Sequence, residues 1–191
     1  MSEIRYYWED LAPGSVRELG SVSVTAEEIK DFAEQFDPQL NWGDVEWIKK
    51  RWGGKLILKG IMDAEDARLA VNSGADALIV SNHGGRQLDG APSSIAALPG
   101  IAAAAGKDIE VWMDGGIRSG QDVLKARALG AQGTLIGRSF LYGLGAYGEA
   151  GVTRALQIIQ KELDITMAFC GHTNINTVDS SILLPGTYPT A

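Results

Sequence analysis

The chain has 191 residues, of which 45% are apolar and 21% charged, and its formal net charge at pH 7 is −7. This composition is typical of a globular protein with a buried core and excludes a chain that is disordered throughout. The acidic balance argues against general binding to nucleic acid or to anionic membrane surfaces, because both require clustered Lys and Arg.

The first 40 residues contain two predicted elements. The segment VRELGSVSVT (16–25) is predicted to form a strand or hairpin. A helix is predicted to begin after Thr25, where Glu28 completes a capping box ahead of Ile29 and Phe32. We therefore assign residues 1–40 to a short α+β appendage and residues 41–191 to the main domain.

From Lys55 onward, apolar runs alternate with helical patterns. The runs are KLILKG, DALIVSN, EVWMDGG and GTLIGRS, and the patterns between them are DAEDARLAVNSG, SSIAALPGIAAAAG and SGQDVLKARALG. This alternation predicts an α/β fold with a parallel sheet, and the lack of polar alternation predicts strands that are buried on both faces. The segment VTRALQIIQKELDITMAF predicts a final helix with Leu156, Ile159, Leu163 and Met167 on one face.

An internal repeat favours one type of parallel sheet. The segment GIMDAEDARLAVNSGADALIV, from Gly60, matches GIRSGQDVLKARALGAQGTLI, from Gly116, at glycine, alanine and aspartate positions. Repeated strand–helix units are typical of (β/α) barrels, and no GxGxxG motif follows the first strand to indicate a dinucleotide fold. A full barrel needs eight strands and about 250 residues, so the sequence predicts a partial (β/α)8 TIM barrel.

Polar groups follow all four predicted strands, as in barrels whose reactive groups lie at strand ends. If the strands are numbers five to eight of a barrel, the last two turns occupy the usual phosphate position. Backbone amides at Gly115, Gly116 and Gly137 could approach a phosphate, and Arg118 or Arg138 could add charge-assisted hydrogen bonds. The side chains that follow the first two strands suit an anionic substrate: Lys59, His83 and Arg86.

The motifs at these strand ends carry a specific resemblance. They are LKGI, SNHGGRQLDGAPSS, DGGIRSGQDVLKARALGA and IGRSFLYGLGAYG. Residues from about Asn41 to Pro185 resemble the C-terminal half of the FMN-dependent α-hydroxy acid dehydrogenase and oxidase family, the group of L-lactate dehydrogenase and glycolate oxidase. The resemblance implies strands five to eight of a TIM barrel, FMN as the cofactor and a small L-2-hydroxy acid, such as L-lactate or glycolate, as the substrate.

The same resemblance implies a role for each site residue. His83 would be the general base that removes a proton from the hydroxy acid, and Arg86 would hold the substrate carboxylate in a forked pair of hydrogen bonds. Lys59 would lie by the pyrimidine end of the flavin, and Ser81 would touch the flavin ring. The groups implied to hold the ribityl chain and phosphate are Asp114, Gly115, Gly116, Arg118, Gly137 and Arg138.

The beginning of the chain resembles a different family. The segment YYWEDLAPGSVRELGSVSVTAEEIKDFAEQFDPQ resembles the start of MaoC-like dehydratases, and FDPQLNWGDVEWIKKRW leads into the flavin-type barrel. This predicts a chimera or rearranged gene with a join within residues 36–39. The first half of the barrel, which in the family completes the site, has no matching segment, so the alternative is a non-catalytic FMN- or phosphate-binding half-barrel or a gene-fusion remnant.

Four parallel strands leave two apolar edges, at KLILKG and GTLIG, and such edges tend to pair with other strands. We predict either a homodimer that closes an eight-stranded barrel or an N-terminal strand, VRELGSVSV, laid along one edge. The lone Cys170 and the isolated His83 and His172 predict neither an internal disulfide nor a metal site. The acidic start MSEIRYYWED and the lack of an apolar run near roughly 18 residues predict a cytoplasmic protein without a membrane span.

Overall fold

The computed structural model describes residues 40–189, and the chain divides into two units, residues 1–40 and 41–191. The helices and strands, in chain order, are α1 (Trp42–Trp52), β1 (Ile57–Ile61), α2 (Ala64–Asn72), β2 (Ala77–Val80), α3 (Ser94–Ala105), β3 (Glu110–Met113), α4 (Gly120–Ala128), β4 (Gly133–Thr134) and α5 (Arg138–Phe169). Three short 3₁₀ turns follow β2 and α5: His83–Gly85, Ile175–Thr177 and Ser180–Ile182. The strand and helix predicted for residues 1–40 lie outside the described residues.

The strands form one parallel sheet in the order β1-β2-β3-β4. In register, Ile57 pairs with Ala77, Ala77 with Glu110, and Trp112 with Gly133. Each consecutive pair of strands is joined by a helix, which is the connection that parallel strands require. The predicted α/β class and four-stranded parallel sheet are confirmed, and the carboxyl ends of all four strands lie along one side of the sheet.

Local signals place the helix starts. Asn41 caps α1 and forms a capping box with Asp44, whose carboxylate accepts the Asn41 backbone N–H at 2.9 Å. Ser119 and Asp122 form the equivalent box at α4. Each box satisfies amide groups that the first turn of a helix leaves without partners, so each fixes the residue at which its helix begins.

The core lies between the sheet and the helices that connect its strands. Side chains from β2 and β3, including Leu78 and Val111, pack against α2 and α3 in one cluster. A smaller cluster joins Leu124 of α4 to the second half of α5 and to Val178. Leu183 packs against both clusters, so the interior continues from the sheet to the last helix.

The prediction that all strands are buried on both faces is wrong for the outer strands and for one face of β3, where Glu110 is exposed and Trp112 is half-buried. All four residues of β2 are buried, whereas Ile57 of β1 is 45% exposed and both residues of β4 are half-buried. Each outer strand has one strand neighbour among the described residues. A run of apolar residues indicates a strand but does not indicate how many neighbours that strand has.

The final helix is longer than predicted and is bent. It starts at Arg138 rather than near Val152, and its backbone leaves helical geometry at Tyr147 and Gly148. The two arms meet at Gly143 and Gly151, where a Cβ added to Gly151 would lie 1.9 Å from the Gly143 carbonyl oxygen. The sharp bend therefore depends on glycine at the contact.

The predicted apolar face of the last helix is only partly inward. Leu163 and Met167 pack against α4, whereas Leu156 is 51% exposed. The lone Cys170 is exposed, and its thiol is free. No helix within residues 40–189 is both long enough and apolar enough to cross a bilayer.

Candidate functional site

A cavity of about 1040 Å³ opens at the carboxyl ends of the strands. It brings together nine of the ten predicted site residues: Lys59, His83, Arg86, Asp114, Gly115, Gly116, Arg118, Gly137 and Arg138. The tenth, Ser81, does not line the cavity. It is buried and accepts a hydrogen bond from Lys59, which does line it. Parallel strands with short loops place their carboxyl ends side by side, which is why residues from four separate turns line one cavity.

The cavity is basic although the chain is acidic. Among the described residues, its lining contains four cationic side chains, Lys59, Arg86, Arg118 and Arg138, and a single carboxylate, Asp114. The three arginines are exposed and can move their guanidinium groups toward a ligand. A concave site lined by one sign of charge concentrates ions of the opposite sign, so this cavity suits a phosphate or a carboxylate.

Lys59, on β1, forms an ion pair with Asp114, which follows β3. The Lys59 Nζ lies 2.8 Å from Asp114 Oδ2 and donates a hydrogen bond to Ser81 Oγ at 2.9 Å. An ammonium group has three donors, so a third remains for a ligand. The Lys59 side chain is 38% exposed, which leaves that donor accessible from the cavity.

The second oxygen of Asp114 has no partner. Asp114 Oδ1 is buried and makes no hydrogen bond with any residue that the structure describes. A buried carboxylate oxygen without a donor costs about 1–3 kcal/mol or more, so such atoms usually mark a place where a donor arrives. A hydroxyl group of a ligand in the cavity would satisfy it.

The turn after β2 holds the backbone of His83 in a left-handed conformation that residues other than glycine seldom adopt. His83 has φ of 56°, and Gly84 and Gly85 follow with φ of 69° and 73°. Backbone strain of this kind costs of order 1–3 kcal/mol and persists where surrounding contacts hold it. Here the His83 N–H donates to Ser81 Oγ at 3.2 Å and the Gly84 N–H donates to Asn82 Oδ1 at 3.0 Å.

The turn after β3 combines two glycines with the start of α4. Gly115 and Gly116 have φ of 88° and 81°, and no atom lies within 4 Å of where a Gly116 Cβ would be. The Arg118 backbone N–H donates to the Asp122 carboxylate at 3.0 Å, which fixes where the turn ends. The open space beside Gly116 would allow a ligand to approach the backbone closely.

The turn after β4 reaches the other two turns. A Cβ on Gly84 would lie 3.3 Å from an Arg138 guanidinium nitrogen, so Arg138 extends to the turn that carries His83. Ser139 Oγ donates to the Ile117 carbonyl at 3.1 Å and joins this turn to the one after β3. The three turns therefore contact one another as well as the cavity.

Sequence reasoning missed the apolar wall of the cavity. It comes from the end of β4 and from both arms of α5, with Leu135, Ile136, Leu141, Tyr142, Ala155, Ile158 and Ile159. The first arm of α5 was not predicted as helix, and the bend that turns the second arm toward the cavity depends on the unpredicted geometry at Gly148. The apolar residues of FLYGLG were the available signal.

A second cavity, of about 650 Å³, lies away from the strand ends. It is formed by α3, the end of α4 and the C-terminal segment, and most of its lining is apolar. The titratable groups among its described lining residues are Asp179 and Tyr188. Hydrogen bonds from Ser181 lower the pKa of Asp179, so that carboxylate is engaged locally. This lining does not bring cationic groups together as the first cavity does.

Comparison with known proteins identifies the relatives of this arrangement. Residues 6–185 match the model of the FMN-dependent dehydrogenase family. L-lactate dehydrogenase of Caulobacter vibrioides (strain NA1000 / CB15N) is 46% identical over 183 residues, covering 92% of this chain and 48% of that protein. L-lactate dehydrogenase of Pseudomonas putida (strain GB-1) is 44% identical over 191 residues, covering 96% of this chain and 50% of that protein.

Solved structures also match this chain. A crystal structure of the monotopic membrane protein (S)-mandelate dehydrogenase matches with a TM-score of 0.77 and 38% identity, over 83% of this chain and 44% of that one. Mandelate oxidase with (S)-4-hydroxymandelic acid matches with a TM-score of 0.70 and 45% identity, over 73% of this chain and 39% of that one. The chain thus spans about half the length of these relatives.

The family match begins at residue 6 and therefore includes the whole segment that resembles the start of MaoC-like dehydratases. A separate origin for residues 1–40, and with it the chimera, stays a prediction. The roles of the individual site residues stay predictions as well.

Proposed function

Because this chain belongs to the FMN-dependent dehydrogenase family, we propose that it binds FMN and oxidises an L-2-hydroxy acid such as L-lactate or glycolate. The observation that carries the proposal is the basic cavity at the carboxyl ends of four parallel strands, in which residues from all four turns meet. We assign the strands to positions five to eight of a TIM barrel, which is consistent with the structural match to about half of (S)-mandelate dehydrogenase.

The cavity fits FMN in its donors, acceptors and charge. Asp114 Oδ1 lacks a donor among the described residues and would accept a ribityl hydroxyl, while the free donor of Lys59 would reach the flavin ring beside Ser81. The groups that would hold the phosphate are Gly115, Gly116, Arg118, Gly137 and Arg138; of these, Gly116 and Gly137 have open space beside the backbone and the arginines supply positive charge. FMN, when bound, would accept the two electrons released as the hydroxyl-bearing carbon becomes a carbonyl carbon.

Two side chains would act on the substrate. Arg86 presents a guanidinium group that can bind a carboxylate in a forked geometry. The imidazole of His83, which is exposed to the cavity, would remove a proton from the hydroxy acid, since histidine exchanges protons near neutral pH. The strained backbone at His83 supports a functional placement, because strain of this kind clusters at active sites.

The half-length of the chain motivates the proposed assembly. Eight strands close a barrel, and two copies of a four-stranded sheet could pair β4 of each copy with β1 of the other. The exposed Ile57 on β1 and the half-buried residues of β4 are consistent with edges that lack a cover among the described residues. We propose a homodimer, with an N-terminal strand along one edge as the competing arrangement.

A non-catalytic role is the second candidate. The chain covers 44% of the (S)-mandelate dehydrogenase structure and 50% of the Pseudomonas putida protein. A half-barrel that binds FMN or phosphate without turnover is therefore a coherent alternative, as is a gene-fusion remnant. Removing groups that orient a substrate can raise a barrier by about 7–11 kcal/mol, which would leave binding intact and abolish oxidation.

Titration of FMN fluorescence with the purified chain tests the proposal. We expect saturable quenching, weakened in Lys59→Ala and unchanged in Lys107→Ala, whose exposed side chain lies in the turn after α3. Size-exclusion chromatography of the loaded protein then gives the oligomer that carries the flavin. Anaerobic L-lactate or glycolate should bleach the bound flavin in the wild type but not in His83→Ala.

The outcomes separate the candidates. Quenching without bleaching identifies an FMN-binding half-barrel, and the absence of quenching contradicts FMN binding and leaves the phosphate-binding half-barrel or the gene-fusion remnant. A monomer that carries flavin contradicts the homodimer. The cytoplasmic location is likewise a proposal, and fractionation of expressing cells would test it.

A further inference from the structure

Ser94, the first residue of α3, lies between the turn after β2 and the turn after β3, both of which contain residues with positive φ. It is 2% exposed, and its Oγ accepts the Asn82 backbone N–H at 3.2 Å. Asn82 in turn accepts the Gly84 N–H through Oδ1 and donates through Nδ2 to the Pro92 carbonyl at 3.2 Å. Ser94 therefore contacts the residue that immediately precedes the left-handed turn at His83.

The other side of Ser94 faces the turn after β3. A Cβ on Gly115 would lie 3.0 Å from Ser94 Oγ and 3.3 Å from Asn82 Oδ1. The space beside the Gly115 Cα is thus occupied by Ser94 Oγ and Asn82 Oδ1, the two atoms that accept hydrogen bonds from the turn after β2. Gly116 has the same left-handed backbone, but a Cβ added there would meet nothing within 4 Å, so this contact is specific to Gly115.

We propose that Ser94 is a positioning residue through which the turn at Gly115 and the turn at His83 hold each other, so that a change in one alters the backbone of the other. Ser94 touches neither the substrate nor the cofactor in this role. The catalytic importance of His83 rests on the proposed function, whereas the coupling of the two turns depends only on the contacts of Ser94 and Asn82.

The chain itself provides matched controls. Ser93 is the neighbouring serine, but it is exposed and its side chain makes no capping hydrogen bond to α3. Ser93→Ala therefore controls for Ser94→Ala. Gly116→Ala controls for Gly115→Ala, because both substitutions strain a left-handed backbone and only the second presses on Ser94.

The readout is the NMR spectrum of full-length protein labelled at histidine and measured without flavin. The chain has two histidines, so His83 can be followed with His172 as a reference in the same molecule. We expect Ser94→Ala to shift the His83 backbone signals and its one-bond Cα–Hα coupling, with Ser93→Ala and the His172 signals unchanged. We expect Gly115→Ala to shift the His83 signals more than Gly116→Ala does.

Unchanged His83 signals in Ser94→Ala, or equal shifts in the two serine variants, would overturn the proposal. If Ser94→Ala fails to fold, the two glycine variants decide the question from the other turn, and equal effects on His83 would overturn it. The wild-type FMN titration is scored separately: a chain that does not bind FMN but shows the expected His83 shifts loses its proposed function and keeps this coupling.

Where the wild type oxidises a hydroxy acid, a second readout distinguishes positioning from general destabilisation. We expect Ser94→Ala to lower kcat by about 10- to 100-fold, since small misplacements of a catalytic group have effects of that size. FMN affinity should fall less, because Ser94 contacts only one of the turns proposed to hold the phosphate. An equal loss of FMN affinity and kcat would indicate a collapse of the whole site and would contradict a positioning role.

Discussion

The inner strands β2 and β3 and the outer strands β1 and β4 all contribute residues to the site, but they differ in how much they contribute to the core. Every residue of β2 is buried, and Val111 and Met113 of β3 are almost inaccessible. On β1, by contrast, Ile57 is substantially exposed, and β4 is only two residues long. Yet His83 and Asp114 follow the inner strands, whereas Lys59 lies on β1 and Gly137 follows β4.

This difference shows how a half-length chain can keep a recognisable site. The inner strands bury enough apolar surface to fix the two turns that carry the strained backbone at His83 and the buried carboxylate of Asp114. The outer strands supply groups that reach inward from a less protected position. We therefore expect the stability of the domain to depend on the inner strands and the geometry of Lys59 to depend on what covers the outer ones.

The largest expected effect separates the two kinds of strand directly. Leu78 is fully buried on β2, and Leu78→Ala should lower the free energy of unfolding by about 2–5 kcal/mol, because it removes packed methyl groups and leaves a cavity. Ile57→Ala on β1 should cost less in the monomer, since nearly half of that side chain is exposed there. Urea denaturation followed by circular dichroism gives both values.

A similar cost at both positions would break the comparison. It would mean that Ile57 is covered in solution by a second copy of the chain, as the proposed homodimer requires, or by a segment outside residues 40–189. Repeating the measurement at several protein concentrations identifies that case, because the stability of a dimer rises with concentration.

The sequence predicted the inner strands better than the outer ones for a physical reason. Apolar runs and turn glycines are local, so they located four strands and placed their polar ends together. Burial depends on neighbours, and β1 and β4 have one each among the described residues. The left-handed conformation of His83 was also beyond prediction, because it follows from contacts with Ser81 and not from the residue type.

The bend in α5 was not predicted for the same reason. Glycines recur along FLYGLGAYGEAG, but which of them bends the helix is decided by the contact between Gly143 and Gly151. By contrast, helical periodicity placed Ile159 and Leu163 on one face of the last helix, and both are half-buried, since periodicity is a property of the segment itself.

A second, intermediate effect tests whether the side of the domain near β4 is loosely packed. A Cβ on Gly120, at the start of α4, would lie 2.0 Å from the Leu163 backbone nitrogen on α5. Gly120→Ala should therefore destabilise the domain by about 1–3 kcal/mol through overpacking. Gly145→Ala, on the first arm of α5, meets no atom within 4 Å and should stabilise by about 0.5–1 kcal/mol.

Thermal or urea denaturation of the two glycine variants distinguishes the possibilities. If both substitutions are tolerated, α4 and α5 can separate easily, and the exposure of β4 reflects a loose edge. If only Gly145→Ala is tolerated, the helices beside β4 are as tightly packed as the interior. The solvent exposure on that side of the domain is then confined to β4 itself.

The smallest expected effect concerns the connection between β2 and β1. Asp76, just before β2, accepts the Leu56 N–H at 2.8 Å and the Lys55 ammonium at 2.8 Å, and it also pairs with Lys49 of α1. Hydrogen bonds from Lys49, Lys55 and Leu56 hold the pKa of Asp76 well below its ordinary value of 3.8. The same contact raises the pKa of Lys55.

The lowered pKa of Asp76 fixes the direction of a pH effect. The unfolded chain binds a proton at Asp76 at a higher pH than the folded chain does, so this contact stabilises the fold fully above the ordinary pKa and is lost as the pH falls toward the folded value. Asp76→Asn should therefore reduce stability at pH 7 and flatten its fall below about pH 4, while Asp108→Asn, at an exposed turn, should change neither. Because the partners of Asp76 lie on α1 and just before β1, an unchanged acid profile in Asp76→Asn would mean that the outer strand is held by its backbone ladder and by the packing of Leu58 and Ile61, without a contribution from these ion pairs.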